Sequence, residues 1–184
     1  MNLDRGAKKV LGEIAGLDRA VFAYVNSLPH SKGLDRFLIL LDVWYYFVLL
    51  YMVVMGGDWR LFGELLVLAI AVNSILLKRI FKRLRVFERL EQANVVIREK
   101  PLPEFIRQID RYSFPSGSAA ISITAAVGLA SLYPLHPFMV GVGWFFALAN
   151  GIQRLYFGAH LPSEVTGGWI TGGVTALIGL RFLS

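Results

Sequence analysis

The chain has 184 residues, 55% hydrophobic and 17% charged, with a mean hydropathy of +0.56 and a net charge of +6. Soluble domains carry about 25% charge, so this chain is too apolar both for a water-wrapped core and for disorder. The absence of cysteine excludes a disulfide scaffold and a thiolate metal site, and a positive balance on so apolar a chain fits anionic head groups or phosphate better than nucleic acid.

Residues 1–35 do not read as a signal peptide, because Asp4, Arg5, Lys8, Lys9, Glu13, Asp18 and Arg19 interrupt any apolar run. Ala7–Ser27 instead has Val10, Leu11, Ile14, Leu17, Val21, Phe22 and Val25 on roughly one side. That pattern predicts an amphipathic helix lying on a membrane or packed on the rest of the protein.

Apolar blocks follow at about Arg36–Gly56 and Leu61–Phe81. The polar stretch Lys82–Arg111 predicts a loop with a short helix around Glu88–Arg98 and a break at Pro101 and Pro103. From Tyr112 to Gln153 there is no charged side chain, and Pro134 and Pro137 around His136 split this run by a tight turn. Its halves, Pro115–Tyr133 and Phe138–Phe157, and the last block, Ser163–Phe182, are each close to the roughly 20 residues that cross a bilayer as helix.

The expected fold is therefore an all-α integral membrane protein. It is a single membrane domain over 1–184: an interfacial amphipathic segment at 1–35, then a helical bundle at 36–184 with a polar loop at 82–111. Five transmembrane helices are expected, six if the N-terminal helix crosses. Asp42, Glu64 and Asn73 interrupt the blocks and are expected to hydrogen-bond inside the bundle. Gly168 with Gly172, and Gly143 with Ala147, have the spacing that lets helices approach closely. With five crossings, all of the 19 Lys and Arg except Arg60 and Arg181 fall on one face, which the positive-inside rule places in the cytoplasm.

Three segments meet at that face. The first is Lys78-Arg-Ile-Phe-Lys82-Arg-Leu-Arg85, the second Tyr112-Ser-Phe-Pro115-Ser116-Gly117-Ser118, and the third Gln153-Arg154 to His160 and Glu164. Lys78, Arg85 and Arg154 supply cations, Arg in a fork that matches phosphate oxygens. Pro115-Ser116-Gly117-Ser118 opens a helix whose free N–H groups face an anion. His160 has the chemistry of a nucleophile, with Glu164 placed to hold its far nitrogen. Taken singly, each piece has a plainer use: basic residues at helix ends reach for head groups, and Ser beside Pro caps a helix. From the residues alone, phosphate binding is supported and catalysis only hinted at.

Together the three segments resemble the signatures of the type 2 phosphatidic acid phosphatase family, membrane lipid-phosphate phosphatases related to vanadium haloperoxidases. Lys78 and Arg85, Pro115-Ser116-Gly117, and Arg154, His160 and Glu164 match that family's motifs in order and spacing over roughly Arg36 to the C-terminus. The resemblance implies that Lys78, Arg85, Ser116, the Gly117 amide and Arg154 bind phosphate. It implies that His160 attacks phosphorus to give a phosphohistidine, that Glu164 orients it, and that no metal or cofactor is needed.

Four positions depart from the pattern. Ser118 stands where the family has the His that protonates the leaving group. Gln153 replaces Ser, Glu164 replaces Asp, and Val86 replaces the Pro after Arg85. Lys82 and Arg89 also repeat the spacing of Lys78 and Arg85; Lys78 is preferred because it directly ends the apolar block.

A general acid contributes about 10²–10⁴ in rate, and most when the leaving group is a basic alkoxide. A lipid diphosphate leaves as a weakly basic lipid phosphate. The expected function is therefore a metal-independent membrane phosphatase acting on a lipid phosphate or, preferably, a lipid or isoprenoid diphosphate, with Ser118 or water as a poor proton relay. The alternative is a non-catalytic relative that binds a phosphorylated lipid. Expected partners are the lipid substrate and the bilayer. Nucleic acid is not expected, because the basic loop interleaves Glu88, Glu91, Glu99, Glu104 and Asp110.

Overall fold

The computed structural model describes residues 5–55, 57–85, 112–132 and 137–183, with side chains in the first helix from Glu13 onward except Ile14. Among these residues the chain forms seven helices: α1 Arg5–Asn26, α2 Lys32–Leu40, α3 Trp44–Met55, α4 Trp59–Phe81, α5 Gly117–Leu132, α6 Pro137–Tyr156 and α7 Pro162–Leu183. The expected turn at Pro134 and helix at Glu88–Arg98 lie outside the described residues.

Local signals explain where the helices begin. Ser31 caps α2 by accepting from the Leu34 amide at 3.2 Å, and Asp58 caps α4 by accepting from Leu61 at 3.1 Å. Pro162 occupies the first position of α7, where its missing N–H costs nothing.

The small-residue helix α5 is the centre of the bundle and packs against α4, α6 and α7. Ala119, Ala120, Ala125 and Ala126 are buried on it. Small residues here let backbones meet. A methyl on Gly168 would strike the Ser116 carbonyl, and one on Gly172 the Ala120 backbone, so α7 lies directly on α5. Thr124 fixes the register by donating to the Gly172 carbonyl at 3.0 Å. Around this centre Trp44, Met52, Phe62, Leu66, Ile123 and Leu129 form the main apolar cluster.

The outer faces are also apolar. Phe47, Leu50 and Val54 of α3, Val67 of α4, Phe145 and Ile152 of α6, and Ile170, Val174 and Leu177 of α7 are all exposed. So continuous an apolar exterior belongs in lipid rather than water. Among the described residues one helix, α4, is by itself long and apolar enough to cross a bilayer; its 23 residues reach about 34 Å.

Three expectations are revised. The block Arg36–Gly56 is not one straight helix: α2 and α3 meet at a 45° bend. The break lets the Leu41 carbonyl and the Asp42 carboxylate accept from Asn150, which a polar group inside an apolar block requires. Glu64 is exposed rather than bonded inside the bundle, whereas Asn73 is fully buried and donates to the Ala69 carbonyl. In α1, Leu17 and Val21 point outward, and the buried face is Asp18, Phe22 and Asn26. Hydrogen bonds decide this orientation: Asn26 donates to the Tyr156 carbonyl and Asp18 accepts from Ser163, and both would be costly to bury without partners.

Candidate active site

Two irregularities of the backbone bring the three segments to one place. In α4, Ile70–Leu77 is π-helical, with i→i+5 bonding. In an α-helix, Asn73 and Lys78 would point about 140° apart; the wider turn puts both inward, 0% and 3% exposed. The helix then stops at Lys82, whose φ of 48° turns the chain sharply. The following segment runs extended, Leu84 pairs antiparallel with Tyr112, and Arg85 is buried. Lys82 is exposed and Arg89 lies outside the described residues, so Lys78 and Arg85 are the buried pair with the family's spacing.

The second irregularity follows α6. Gly158, at φ 77°, reverses the chain. The amides of Ala159 and His160 both return to the Arg154 carbonyl, at 2.9 and 3.3 Å, which ties His160 to the end of the helix that carries Arg154. Glu164 then lies in the first turn of α7. Its Oε2 accepts from the Leu161 amide at 3.1 Å, the half of a capping box made by the third helical residue.

His160 is 4% exposed, and its Nδ1 lies 3.2 Å from the same Glu164 oxygen. A carboxylate only accepts, so Nδ1 carries the proton and Nε2 keeps its lone pair. Burial holds His160 below the ordinary histidine range; Glu164 opposes this, and the positive charges of Arg85 and Lys78 add to it. The imidazole thus sits within the field of both cations.

The other carboxylate oxygen of Glu164 is equally engaged. Ser113 Oγ lies 2.8 Å away as donor, and Arg83 Nε is at 3.2 Å. Neither residue is among the sequence-based site candidates. Ser113 stood in the second segment without an assigned part, and Arg83 was one of several similar cations in the first.

The start of α5 is tied to the same point, because the Ser116 amide donates to the Glu164 carbonyl at 2.9 Å. That amide is spent on protein, whereas the Gly117 amide opens α5. Gly117 also has a packing reason, since a methyl there would lie 2.5 Å from Ser74 Oγ of α4. Ser118 is half-buried, and its hydroxyl is 3.4 Å from that of Ser116. Arg154 donates to Asp42 at 2.6 Å. Gln153 is 1% exposed, and neither end of its amide finds a hydrogen-bond partner among the described residues. No three His, Cys, Asp or Glu side chains gather among the described residues as a metal ion would require.

The profile of the PAP2 superfamily matches residues 58–184, which contain all three segments. The chain belongs to the PAP2 superfamily. An undecaprenyl-diphosphatase of Sulfolobus acidocaldarius is 33% identical over 73 residues, 40% of this chain and 34% of that protein, so the match spans about a third of the relative's length. The crystal structure of Aquifex aeolicus LpxE superposes with a TM-score of 0.68 at 22% identity, covering 90% of this chain and 96% of that one. A transmembrane PAP2 type phosphatidylglycerolphosphate phosphatase of Bacillus subtilis superposes with a TM-score of 0.66 at 20% identity, covering 92% and 86%. Both share the fold of this chain, which, with its lipid-facing exterior, is that of a membrane PAP2 protein.

Proposed function

We propose that this PAP2 protein is a membrane phosphatase that cleaves a lipid diphosphate, with His160 as nucleophile. One observation carries the reading: Nδ1 of a buried histidine is held by a carboxylate, which leaves Nε2 basic, in the field of two buried cations. Lys78, Arg85 and Arg154, with the Ser116 hydroxyl and the Gly117 amide, hold the terminal phosphate. Nε2 attacks phosphorus, the bond to the bridging oxygen breaks, and the lipid leaves as its monophosphate. Glu164 stabilises the charge on the ring. Water then attacks the phosphohistidine, releasing inorganic phosphate and restoring His160. No step requires a metal.

Ser118 sets the substrate class. A serine hydroxyl gives up no proton at neutral pH, so a leaving group that needs protonation, such as the alkoxide of a lipid monophosphate, is poorly served. A lipid phosphate leaves without that help. The identity shared with an undecaprenyl-diphosphatase supports the same class.

The test is phosphate release by purified protein from an isoprenoid diphosphate and from phosphatidate, with His160→Ala as control. Release from the diphosphate that is lost in the control is expected. Faster release from phosphatidate would overturn the diphosphate preference, and tight binding without release from either would make the protein a lipid-phosphate binder. In the same reading the chain crosses the bilayer five times, the bent α2–α3 pair counting once, with the site on the cytoplasmic face. Because the chain has no cysteine, single cysteines at Arg60 and Arg79 report sidedness directly. An impermeant thiol reagent applied outside intact cells is expected to label only position 60.

A further inference from the structure

The Glu164 carboxylate is engaged from outside the three signature segments' matched positions. Arg83 sits in the extended stretch after α4 and faces three acceptors at once. Its Nε is 3.2 Å from Glu164 Oε1, its Nη1 donates to Ser163 Oγ at 2.9 Å, and its Nη2 is 3.5 Å from Asp18 Oδ2. Asp18 comes from α1, 145 positions before Ser163. It takes the Ser163 amide at 2.7 Å on one oxygen and the Ser163 hydroxyl at 2.7 Å on the other. The carboxylate of one helix therefore caps another, and the capped turn is the one that carries Glu164. Asp18 is 8% exposed although α1 bears an exposed apolar side at Leu17, Val21 and Tyr24.

We infer that Arg83 is a positioning residue for the His160–Glu164 pair, and that α1 holds it in place through Asp18. The physical reason is geometric. A carboxylate with one oxygen on His160 and Leu161 can still rotate about its terminal torsion unless the other oxygen is fixed. Ser113 and the Arg83 fork fix it from two directions, and a planar guanidinium does so with little further loss of freedom. Arg83 also shares the negative charge of Glu164, so that charge does not act on the imidazole alone. The helix that lies outside the bundle thus reaches the nucleophile by the chain Asp18, Arg83, Glu164, His160. Substrate phosphate is not part of this chain, because Arg83 is occupied by carboxylates and a hydroxyl.

The inference rests on the proposed role of His160, so its test includes a reading that needs no turnover. The chain has three histidines, and imidazole NMR in detergent, with His160→Ala for assignment, follows the titration of His160 alone. Among the described residues, the charged groups that act most on that ring are Glu164 from α7, Lys78 from α4 and Arg85 from the stretch after it. With these unchanged, Arg83→Met is expected to move the His160 titration upward by on the order of half a pH unit. In turnover it is expected to lower kcat about tenfold with KM nearly unchanged. Arg83→Lys restores the charge without the fork, so the titration returns towards that of the native protein while kcat recovers only in part. Asp18→Asn keeps the shape, loses the charge that orients Arg83, and is expected to lower kcat by less than Arg83→Met with KM nearly unchanged. An unmoved or lowered titration in folded Arg83→Met would overturn the inference, as would a rise in KM with kcat unchanged, which would make Arg83 a substrate contact. If the native protein releases no phosphate while the titration still shifts, the proposed function fails and the positioning role stands.

Discussion

The Glu164 side of His160 and the start of α5 are built to different standards. On the Nδ1 side every polar group is engaged: Glu164 takes His160 and Leu161 on one oxygen, Ser113 and Arg83 on the other, and Asp18 caps the turn behind them. Around the helix start that supplies Ser118, the hydroxyls of Ser116 and Ser118 meet only at 3.4 Å, and the amide of Gln153, a neighbour in sequence of Arg154, is unmatched among the described residues. A buried carboxylate is held so firmly only where its orientation matters, while a leaving group is left to look after its own proton. In the proposed reading the contrast separates making a nucleophile from helping a product leave, with the built-up side serving the first.

Substitutions break the comparison in order of size. His160→Ala removes the proposed nucleophile and is expected to cost about 10⁶-fold in kcat, the scale on which a covalent nucleophile acts. Glu164→Gln is expected to cost about 10⁴-fold with binding largely retained. An amide can donate to Nδ1, which would place the proton on Nε2 and occupy the attacking lone pair. Single-turnover phosphate release measures both. If Glu164→Gln were nearly as active as the native protein, the engaged side would be structural only.

The thin side gives the opposite sign. Ser118→His supplies an acid at the start of α5 and is expected to raise turnover of phosphatidate about 10²-fold, with a far smaller gain on an isoprenoid diphosphate. Equal gains on both substrates would mean that the leaving group does not decide the preference. Apart from chemistry, Gly172→Ala tests the frame that carries both sides. Its methyl meets the Ala120 backbone, which cannot rotate away. A loss of about 1–3 kcal/mol is expected, read as an earlier thermal transition in detergent.

The sequence made one side of this comparison far more legible than the other. His160, Glu164, Arg154, Lys78 and Arg85 could be named because their spacing is fixed along short stretches, and the folded chain brings the first two within 3.2 Å. Arg83 could not be separated from Arg79 and Lys82, since composition does not reveal which cation of a run turns inward after a left-handed Lys82. Ser113 and Asp18 act on residues 51 and 145 positions away, beyond any local periodicity. For α1, apolar spacing left open whether the side with Leu17, Val21 and Phe22 faces a membrane or the protein; the bonds Asp18 accepts and Asn26 donates fixed the rotation, with Leu17 and Val21 outward and Phe22 inward. The π-helical stretch was equally hidden, because Ile70–Leu77 is as apolar as any α-helical crossing.

The smallest expected effect is also the finest probe of the engaged side. In the proposed mechanism His160 attacks as the neutral ring, so kcat/KM is expected to fall on the acid side as the free enzyme's imidazole gains a proton. Burial, aided by Arg85 and Lys78, holds its pKa below the ordinary value of about 6.5. The acid limb is therefore expected at lower pH than an ordinary histidine would give. Removing a cation reverses one contribution: Arg85→Gln or Lys78→Gln should weaken binding and also move the limb towards higher pH. Glu164→Gln removes the charge that favours the protonated ring and should move what activity remains towards lower pH. The substrate's own phosphate ionisation is common to all three profiles and cancels when they are compared on one substrate. Opposite displacements would show that the cations and the carboxylate act on the same nitrogen base; displacements of one sign would mean that the limb belongs to another group.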